Sequence, residues 1–457
     1  MPARIIKSLP SKDNIYDIKP LKRSLSGLEI EVQTLNKNGF IVHGADTIIR
    51  ECKKINKGIP IVKECSKSMV ELGAYPSVKV QNTAMDLLNN FQMMIEVAEK
   101  NDLVIYPLSV YPGTFEAEMR KNKWYNIQSK IIFGSHEFKM AGKTPAFHYH
   151  YTLPRGVFDK KKRFLKPLIH SKVKKTLIDS YNLAIAMDPA LITLFQSSPL
   201  LDGKYVAKDS RVLIQRTGRA FPFEGMYHKQ PKLAGLPIYK ETLSDLIYVI
   251  KKRHSLLKKL FVKNNLDPFL VSTYGKVLDF SWHAVRINKI GTLEQRTMDM
   301  NHPKYVIAGT VLLKYVFRRI QQDFLNVIPS DVGLEEPFKV EGNVLHIPPH
   351  THIRKKLQYS SAYEGFENKE IRDYTRSFFR FAKKCTHRRY YKAIRPFSHM
   401  INRNKSVSDI LLDKFKKKGY GREDRIPDNI CANVALSSCK QLYNEIEKTK
   451  KTISDLD

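Results

Sequence analysis

The chain has 457 residues, 42% of them hydrophobic, and its 78 lysines and arginines outnumber its 45 aspartates and glutamates, giving a formal net charge of +33. This apolar content is enough for a sizeable core in one large domain or two, which excludes an intrinsically disordered chain. No run of about 18 apolar residues occurs, so no membrane-spanning helix is predicted. The positive charge favours polyanionic or phosphate-rich ligands, although widely spread lysines also suit a solvated surface.

Cysteine usage and the N-terminal residues indicate the compartment. The five cysteines are scattered, without the paired spacing of a zinc site: Cys52, Cys65, Cys385, Cys431 and Cys439. The first residues lack the apolar stretch of a signal peptide. Few cysteines and no export signal predict a cytoplasmic protein in a reducing compartment, with no membrane partner.

In the first half of the chain, hydrophobic periodicity predicts strands separated by a long helix. Apolar and polar residues alternate in "SLSGLEIEVQTL", which begins at Ser24 and falls in the first clear strand. The elements expected next are an amphipathic helix, an apolar strand and an alternating strand. In chain order, the four elements cover residues 21–35, 84–101, 103–110 and 146–154.

The second half is expected to be mainly helical. Its predicted elements are one or two helices over 172–199, a helix over 242–264, two short strands around Gly291 within 281–299, and a helix over 303–325. Three more helices are expected beyond these. The Pro- and Gly-rich stretch 327–350 favours a boundary between a catalytic domain at 20–330 and a basic, mainly helical C-terminal extension at 331–457.

Three predicted strands carry polar residues two positions apart, and such residues share one face of a strand. These pairs are Glu29 with Glu31, His148 with His150, and Glu294 with Arg296. Two further carboxylates, Glu64 and Glu71, lie seven residues apart, a spacing that fits two helical turns or two strand ends.

Several carboxylates around one cavity would repel each other unless a cation lay between them. Magnesium suits such a site, because it prefers carboxylate oxygens and keeps substrate phosphates among its ligands. Arg296 suits phosphate or carboxylate, since its guanidinium binds both with two parallel hydrogen bonds. Arg286, Arg211 and Arg216 are further candidates for the same role.

Taken in order, the motifs point to a family. The stretches are "GLEIEV", "ECSKSMVE", "HYHYTLP", "QSSPLLDG", "DSRVLIQR" and "GTLEQRTMD". Over roughly residues 20–330, this ordered set resembles the glutamate–cysteine ligase type 2 family of carboxylate–amine ligases, which share the catalytic fold of glutamine synthetase. The ordered set is much more specific than any one of its members.

The resemblance implies an α+β fold in which a curved antiparallel sheet forms a polar funnel, with helices packed on its outer face and a helical C-terminal region. It also implies site residues. Those carried over as magnesium ligands are Glu29, Glu31, Glu64, Glu71, His148 and Glu294. Those carried over as ATP phosphate contacts are His150, Arg286 and Arg296, the two arginines being catalytic. Arg211 carries over to phosphate or to the substrate carboxylate.

The implied activity uses ATP and Mg2+ to join the γ-carboxylate of glutamate to the amine of cysteine or a related amine, through an acyl phosphate. The implied partners are glutamate and an amino-acid or amine acceptor, and a homodimer is a candidate assembly. Tyr111 precedes Pro112 where the family usually has a Gly-Thr-His-Pro-like turn, and nothing past residue 330 matches it. The identity of the acceptor therefore stays open.

Two alternatives remain. One is a nucleic-acid-binding protein that uses "RSFFRFAKKCTHRRYYKAIRP", where bases could stack on aromatic rings between basic residues. The same stretch also fits a helix with Phe378, Phe381 and Cys385 facing a core. The other alternative keeps the ligase fold, with a different acceptor or without activity.

Overall fold

The computed structural model describes residues 24–167, 171–216 and 225–456. The predicted start of the catalytic domain at residue 20 and the predicted start of the first strand at residue 21 lie outside the described residues. The strands are β1 (Ser26–Asn36), β2 (Ile61–Lys63), β3 (Met69–Ser77), β4 (Leu103–Tyr106), β5 (Ala146–Thr152), β6 (Phe158–Asp159), β7 (Phe164–Leu165), β8 (Leu200–Leu201), β9 (Lys204–Tyr205), β10 (Ala234–Gly235), β11 (Trp282–His283), β12 (Val285–Asn288), β13 (Thr292–Asp299), β14 (Asn326–Pro329), β15 (Val340–Glu341) and β16 (Val344–Ile347).

The helices outnumber the long strands. They are α1 (Ala45–Ile55), α2 (Val80–Lys100), α3 (Lys123–Ile127), α4 (Ser135–Ala141), α5 (Lys172–Ala186), α6 (Asp188–Phe195), α7 (Ser210–Gln215), α8 (Leu243–Lys263), α9 (Leu270–Tyr274), α10 (Pro303–Asp323), α11 (Asp331–Glu335), α12 (His350–His352), α13 (Gln358–Tyr363), α14 (Lys369–Cys385), α15 (Tyr391–Arg403), α16 (Val407–Lys416), α17 (Asp428–Cys439) and α18 (Leu442–Ser454). None of the helices within the described ranges is long and apolar enough to cross a membrane.

One seven-stranded sheet organises the first part of the chain. Its strands run in the order β12-β13-β5-β1-β3-β2, with β4 also paired to β1, and every neighbouring pair is antiparallel. The sheet is open, helices cover its apolar face, and a helical region follows it. The predicted α+β fold class is therefore confirmed.

The two faces of the sheet differ as the alternation in β1 predicts. Leu28, Ile30 and Val32 are fully buried against the main apolar core. On β5, Tyr149 and Tyr151 point to the same side, where both rings stack on Phe317 of α10. His148 and His150, which alternate with these tyrosines along β5, therefore point to the opposite, polar face.

Local signals fix several boundaries. Thr242 accepts a hydrogen bond from the backbone of Asp245, whose side chain accepts from the Thr242 backbone, so a capping box begins α8. Pro303 begins α10, and Gly291 has a φ of +83° in the turn between β12 and β13. The apolar strand expected over 103–110 was too long: β4 ends at Tyr106, before a proline that has no N–H for the ladder.

The C-terminal region holds more helices than the three expected. Part of the predicted boundary stretch forms a small sheet in which β16 pairs with both β14 and β15. Val327, before residue 330, and Leu345, after it, belong to the same apolar core. The division into 20–330 and 331–457 stays a prediction, and the core is continuous across it.

The aromatic residues of the basic C-terminal stretch are mostly in the core. Phe378 and Phe381 of α14 pack on Phe338, with ring centroids 5.4 and 6.2 Å away. Phe379 and Tyr390 are buried as well. These rings are occupied by packing, so they do not offer a stacking surface for bases.

Candidate active site

The strand register brings the predicted polar residues to one place. Glu29 of β1 lies opposite His148 of β5, and Glu294 of β13 lies opposite His150. Glu31 faces Glu71 across the β1–β3 pair. Because these strands are neighbours in one sheet, residues far apart in sequence share one polar surface.

Seven residues form three overlapping groups in which the possible ligand atoms lie within 4.8 Å of one another. The groups are Glu29–His150–Glu294, Glu29–Glu71–His148 and Glu31–Glu64–Glu71. They contain all six residues carried over as metal ligands, together with His150. The spacing of Glu64 and Glu71 fitted either two helical turns or two strand ends. The structure has strand ends, since Glu71 lies near the start of β3 and Glu64 directly follows β2.

At one end of this surface, arginines surround Glu294. Arg286 donates from Nε and Nη2 to the two carboxylate oxygens, at 2.6 and 3.1 Å, and Asn288 donates at 2.6 Å. Arg296 donates to the same carboxylate. Burial opposes the charge on Glu294, yet Arg286, Arg296 and His150 together hold its pKa well below the usual range.

Glu29 lies in the middle, between the two histidines. Its Oε2 is 3.2 Å from Nε2 of His150 and 3.7 Å from Nδ1 of His148. Burial acts against ionisation of Glu29, but the neighbouring His150 and His148 lower its pKa. Burial also disfavours the charged form of His150, yet Glu294 and Glu29 raise its pKa. Each of the two groups therefore favours the charged form of the other.

At the other end the carboxylates face each other. Burial and the charge of Glu64 raise the pKa of Glu31 to about 8. Burial and then Glu64, Glu29 and Glu31 raise the pKa of Glu71 well above its usual value. Glu31 accepts a hydrogen bond from the Ala146 backbone at 2.8 Å, which compensates only part of the charge. At this end Arg296 and Arg211 act in the opposite direction on Glu31, but they do not offset burial and the neighbouring carboxylates.

The donor set fits a divalent metal ion. Nε2 of His148 is buried without a hydrogen-bond partner, and it lies 3.8 Å from Oε1 of Glu31. Burial and Arg296 lower the pKa of His148 to about 3, so the imidazole is neutral, which is the form that binds metals. The neighbouring Glu31–Glu64–Glu71 group offers carboxylate oxygens, which are the ligands that Mg2+ prefers.

A β-bulge places Arg296 beside this surface. The register between β13 and β5 shifts between Gln295 and Met298, and the Arg296 backbone N–H instead donates to Ala284 at 2.8 Å. The Arg296 side chain is 22% exposed, and its Nη1 lies 3.4 Å from Nδ1 of His148. Arg296 therefore lies between Glu294 and the acidic end.

Arg211 lies beside Arg296, and its guanidinium already donates hydrogen bonds to the backbone. It donates to the backbone carbonyls of Thr144, Arg296 and Thr297, at 3.4, 3.1 and 2.8 Å. These bonds hold the bulge that carries Arg296. A phosphate or carboxylate contact for Arg211 stays a prediction, while its observed contacts support the strand.

Arg216 lies elsewhere. Its two terminal nitrogens pair with the buried carboxylate of Asp188 at 2.6 and 2.7 Å, and it also donates to Gln358 of the C-terminal region.

The sequence analysis missed Asn288 as a partner of Glu294, although its position two residues after Arg286 on β12 was a usable signal. The role of Ser281, whose carbonyl accepts from Arg286 at 2.9 Å, had no such signal because it depends on a turn.

A cavity of about 210 Å³ adjoins the acidic end. Glu31, Glu64, His148 and Arg296 contribute to its lining, and most of the remaining wall is apolar or aromatic. The sequence did not predict this cavity, because its walls come from separate segments between residues 31 and 296.

No protein-family profile and no curated protein matches the sequence. Among solved structures, the chain is similar to a bifunctional glutathione synthetase from Pasteurella multocida, with a TM-score of 0.57 at 13% identity over 94% of this chain and 54% of that one. It is also similar to the glutamate–cysteine ligase of Francisella tularensis in complex with AMP, with a TM-score of 0.56 at 13% identity over 95% and 93% of the two chains.

The chain thus spans about half the length of the first of these structures and nearly all of the second. At this sequence identity the likeness concerns the fold. The resemblance indicated by the ordered motifs is confirmed at that level: the chain has the fold of glutamate–cysteine ligase.

Proposed function

We propose that this protein is an ATP- and Mg2+-dependent carboxylate–amine ligase, which joins the γ-carboxylate of glutamate to the amine of cysteine or a related amine. The observation that carries the proposal is the set of three overlapping ligand groups beside Arg286 and Arg296. Carboxylates without enough countercharge at one end, and arginines at the other, suit metal-bound phosphates.

Magnesium would be held by the six residues carried over as ligands: Glu29, Glu31, Glu64, Glu71, His148 and Glu294. When bound, it would supply positive charge to the phosphate oxygens and to the reacting carboxylate. His150, Arg286 and Arg296 would contact the phosphates of ATP. Arg286 and Arg296 are held in place by Glu294, so their hydrogen-bond donors are oriented before ATP arrives.

The reaction would take two steps. A γ-carboxylate oxygen of glutamate attacks the γ-phosphorus of ATP, the bond to the β-phosphate oxygen breaks, and ADP leaves. The amine nitrogen of the acceptor then attacks the acyl carbon, the carbon–oxygen bond to phosphate breaks, and phosphate and a proton are released. Arg296 would stabilise the charge that develops on the transferring phosphoryl group, and no protein nucleophile is needed.

The alternatives have less support. Nucleic-acid binding through the basic C-terminal stretch would need several exposed rings, but Phe378, Phe379, Phe381 and Tyr390 are buried and only Tyr391 of its five rings is exposed. Loss of activity would be expected to show as missing ligand residues, yet all the carried-over positions retain them. A different acceptor amine remains within the proposal.

Phosphate release measured with ATP, Mg2+, glutamate and a panel of amines tests the proposal, with mass spectrometry identifying the amide. We expect release to require all four components and to yield a γ-glutamyl amide. ATP hydrolysis that is independent of glutamate and amine, or no Mg2+-dependent turnover with any amine, would contradict it. Glu445→Gln is a suitable control, because Glu445 pairs with Lys304 outside the site.

A further inference from the structure

The 210 Å³ cavity beside the acidic end has both polar and apolar lining residues. Its polar lining consists of Glu31, Glu64, Gln128, Thr144, His148, Arg211, Gln215 and Arg296. The rest of the wall is apolar or aromatic and includes Tyr125, Phe133, Phe138, Ala141, Tyr227 and Trp282. A ligand that fits this cavity therefore combines polar groups with an apolar part.

The aromatic wall is built around one ring. Phe133 stacks on Phe138 with their centroids 6.4 Å apart, and it meets Tyr227 at 5.3 Å and Trp282 at 4.9 Å, the latter edge to face. These residues belong to an apolar cluster that is separate from the main core. Interlocked rings of this kind hold a fixed shape, so the cavity is formed before a ligand enters.

The cavity lies on one side of the proposed phosphate contacts. Arg296 and Glu31 are part of its wall, whereas His150, Arg286 and Glu294 are not. A molecule in the cavity would therefore place its polar end where Arg296 meets the acidic end of the site. The ATP phosphates would approach from the side of Arg286.

We propose that the acceptor is an amino acid or primary amine with a large apolar side chain, such as that of leucine, methionine or phenylalanine, held in this cavity. The inference rests on the proposed ligase function. The short side chain of cysteine would leave much of the aromatic wall without contacts, whereas a larger apolar group would displace water from it. The bond-forming step is the one already written, in which the amine attacks the acyl carbon and phosphate leaves.

Intrinsic fluorescence tests the cavity without requiring turnover. The chain has two tryptophans, and both pack against the apolar cluster that supplies the aromatic wall, with Trp282 lining the cavity itself. With Mg2+, glutamate and a non-hydrolysable ATP analogue present, leucine, methionine or phenylalanine should give a saturable change with a Kd at least tenfold lower than that of cysteine or alanine. Equal or tighter binding of cysteine, or no saturable change with any of the apolar amino acids, would overturn the inference.

Two cavity variants and one control variant test whether the apolar amino acids bind in the cavity. Ala141→Leu adds bulk to the cavity wall and should weaken leucine binding at least tenfold while leaving cysteine binding unchanged. Phe138→Leu should alter the ranking of the apolar amines. Phe381→Leu is the matched control, because Phe381 is buried to a similar extent but lies in the C-terminal region, and it should change neither. Wild-type leucine binding by a folded Ala141→Leu protein would contradict the assignment.

Turnover separates this inference from the proposed function. If phosphate release is fastest with cysteine, the ligase stands and the apolar acceptor is wrong. If apolar amines bind as expected but no amine supports phosphate release, the cavity assignment stands and the ligase proposal is wrong. We expect kcat/KM to be at least tenfold higher with an apolar amine than with cysteine.

Discussion

Buried glutamates lie at both ends of the polar surface, but their pKa values are shifted in opposite directions. At one end, Arg286 and Arg296 pair with the buried Glu294, and its pKa is low. At the other, burial and neighbouring carboxylates raise the pKa values of Glu31 and Glu71, and at Glu31 they outweigh Arg296 and Arg211. The charge of Glu294 is therefore compensated within the chain, whereas the charge of Glu31 and Glu71 is compensated only in part.

This difference in charge suits the Glu294 end to phosphate and the Glu31–Glu64–Glu71 end to a cation. Arginines already held by Glu294 would form a rigid frame for phosphate oxygens, which carry negative charge themselves. Unpaired carboxylates in a buried site are costly until a cation binds between them. We therefore expect magnesium mainly at the Glu31–Glu64–Glu71 end, with Glu29 and His148 joining the two ends.

The largest expected effect is on turnover. Glu71→Gln removes a charged ligand from two of the three ligand groups. We expect kcat to fall about a thousandfold or more, equivalent to roughly 4 kcal/mol of transition-state stabilisation. Steady-state phosphate release at saturating Mg2+ is the measurement. Turnover within a few-fold of wild type would show that Glu71 is not a ligand.

Stability should respond with opposite signs at the two ends. Glu294→Gln leaves the largely buried Arg286 and Arg296 without their carboxylate and should cost about 3 kcal/mol in the free energy of unfolding. Glu71→Gln relieves repulsion, so the metal-free protein should be as stable as wild type or more stable. Urea unfolding without metal gives both values. A similar loss in both variants would remove the distinction between the ends.

A smaller effect is expected for Arg296→Lys, which keeps the charge but loses the planar group of donors. If Arg296 contacts the transferring phosphoryl group, kcat should fall at least tenfold, about 1.4 kcal/mol, with less change in ATP affinity. If Arg296 serves only as an ion-pair partner of Glu294, kcat should stay near the wild-type value. Kinetics at saturating Mg2+ distinguish these outcomes.

The smallest effect concerns pH. The pKa of Glu31 is raised from its usual value near 4.5 to about 8 by burial and by Glu64. The folded state then binds more protons than the unfolded state between these values, so this group makes the protein less stable as pH rises. Melting of wild type and Glu31→Gln without metal should show a gap of a few degrees that favours the variant and widens from about pH 4.5 to 8.

Magnesium serves as the control for the pH experiment. Wild type should gain thermal stability when Mg2+ binds its ionised carboxylates, and Glu31→Gln should gain less. The gap between the two proteins should therefore narrow at pH 8. A gap that is independent of pH would contradict the raised pKa of Glu31.

Much of the strand arrangement followed from period-two patterns. Alternation in β1 and β5 assigned Glu29, His148 and His150 to one face, and local helix signals such as Thr242 and Pro303 fixed helix starts. These features depend on neighbours in sequence, which is why a single chain reveals them. The order of the six motifs then allowed the fold to be identified.

Other features depend on long-range contacts that leave no local pattern. The bulge at Arg296 is held by Arg211, which lies 85 residues away in sequence and was expected to contact phosphate or substrate. The aromatic cavity joins Phe133 to Tyr227 and Trp282 from separate segments. Glu64 and Glu71 had two possible geometries, and only the pairing of β2 with β3 decided between them.

The most direct test of the account is a crystal structure with Mn2+ in place of Mg2+, using anomalous scattering to locate the ion. We expect a peak at the Glu31–Glu64–Glu71 end, about 2.2 Å from carboxylate oxygens of these residues, as is usual for small hard divalent cations. The peak should be lost or weakened in Glu71→Gln. Crystals that bind Mn2+ only outside this surface, or an unchanged peak in the variant, would contradict the central claim.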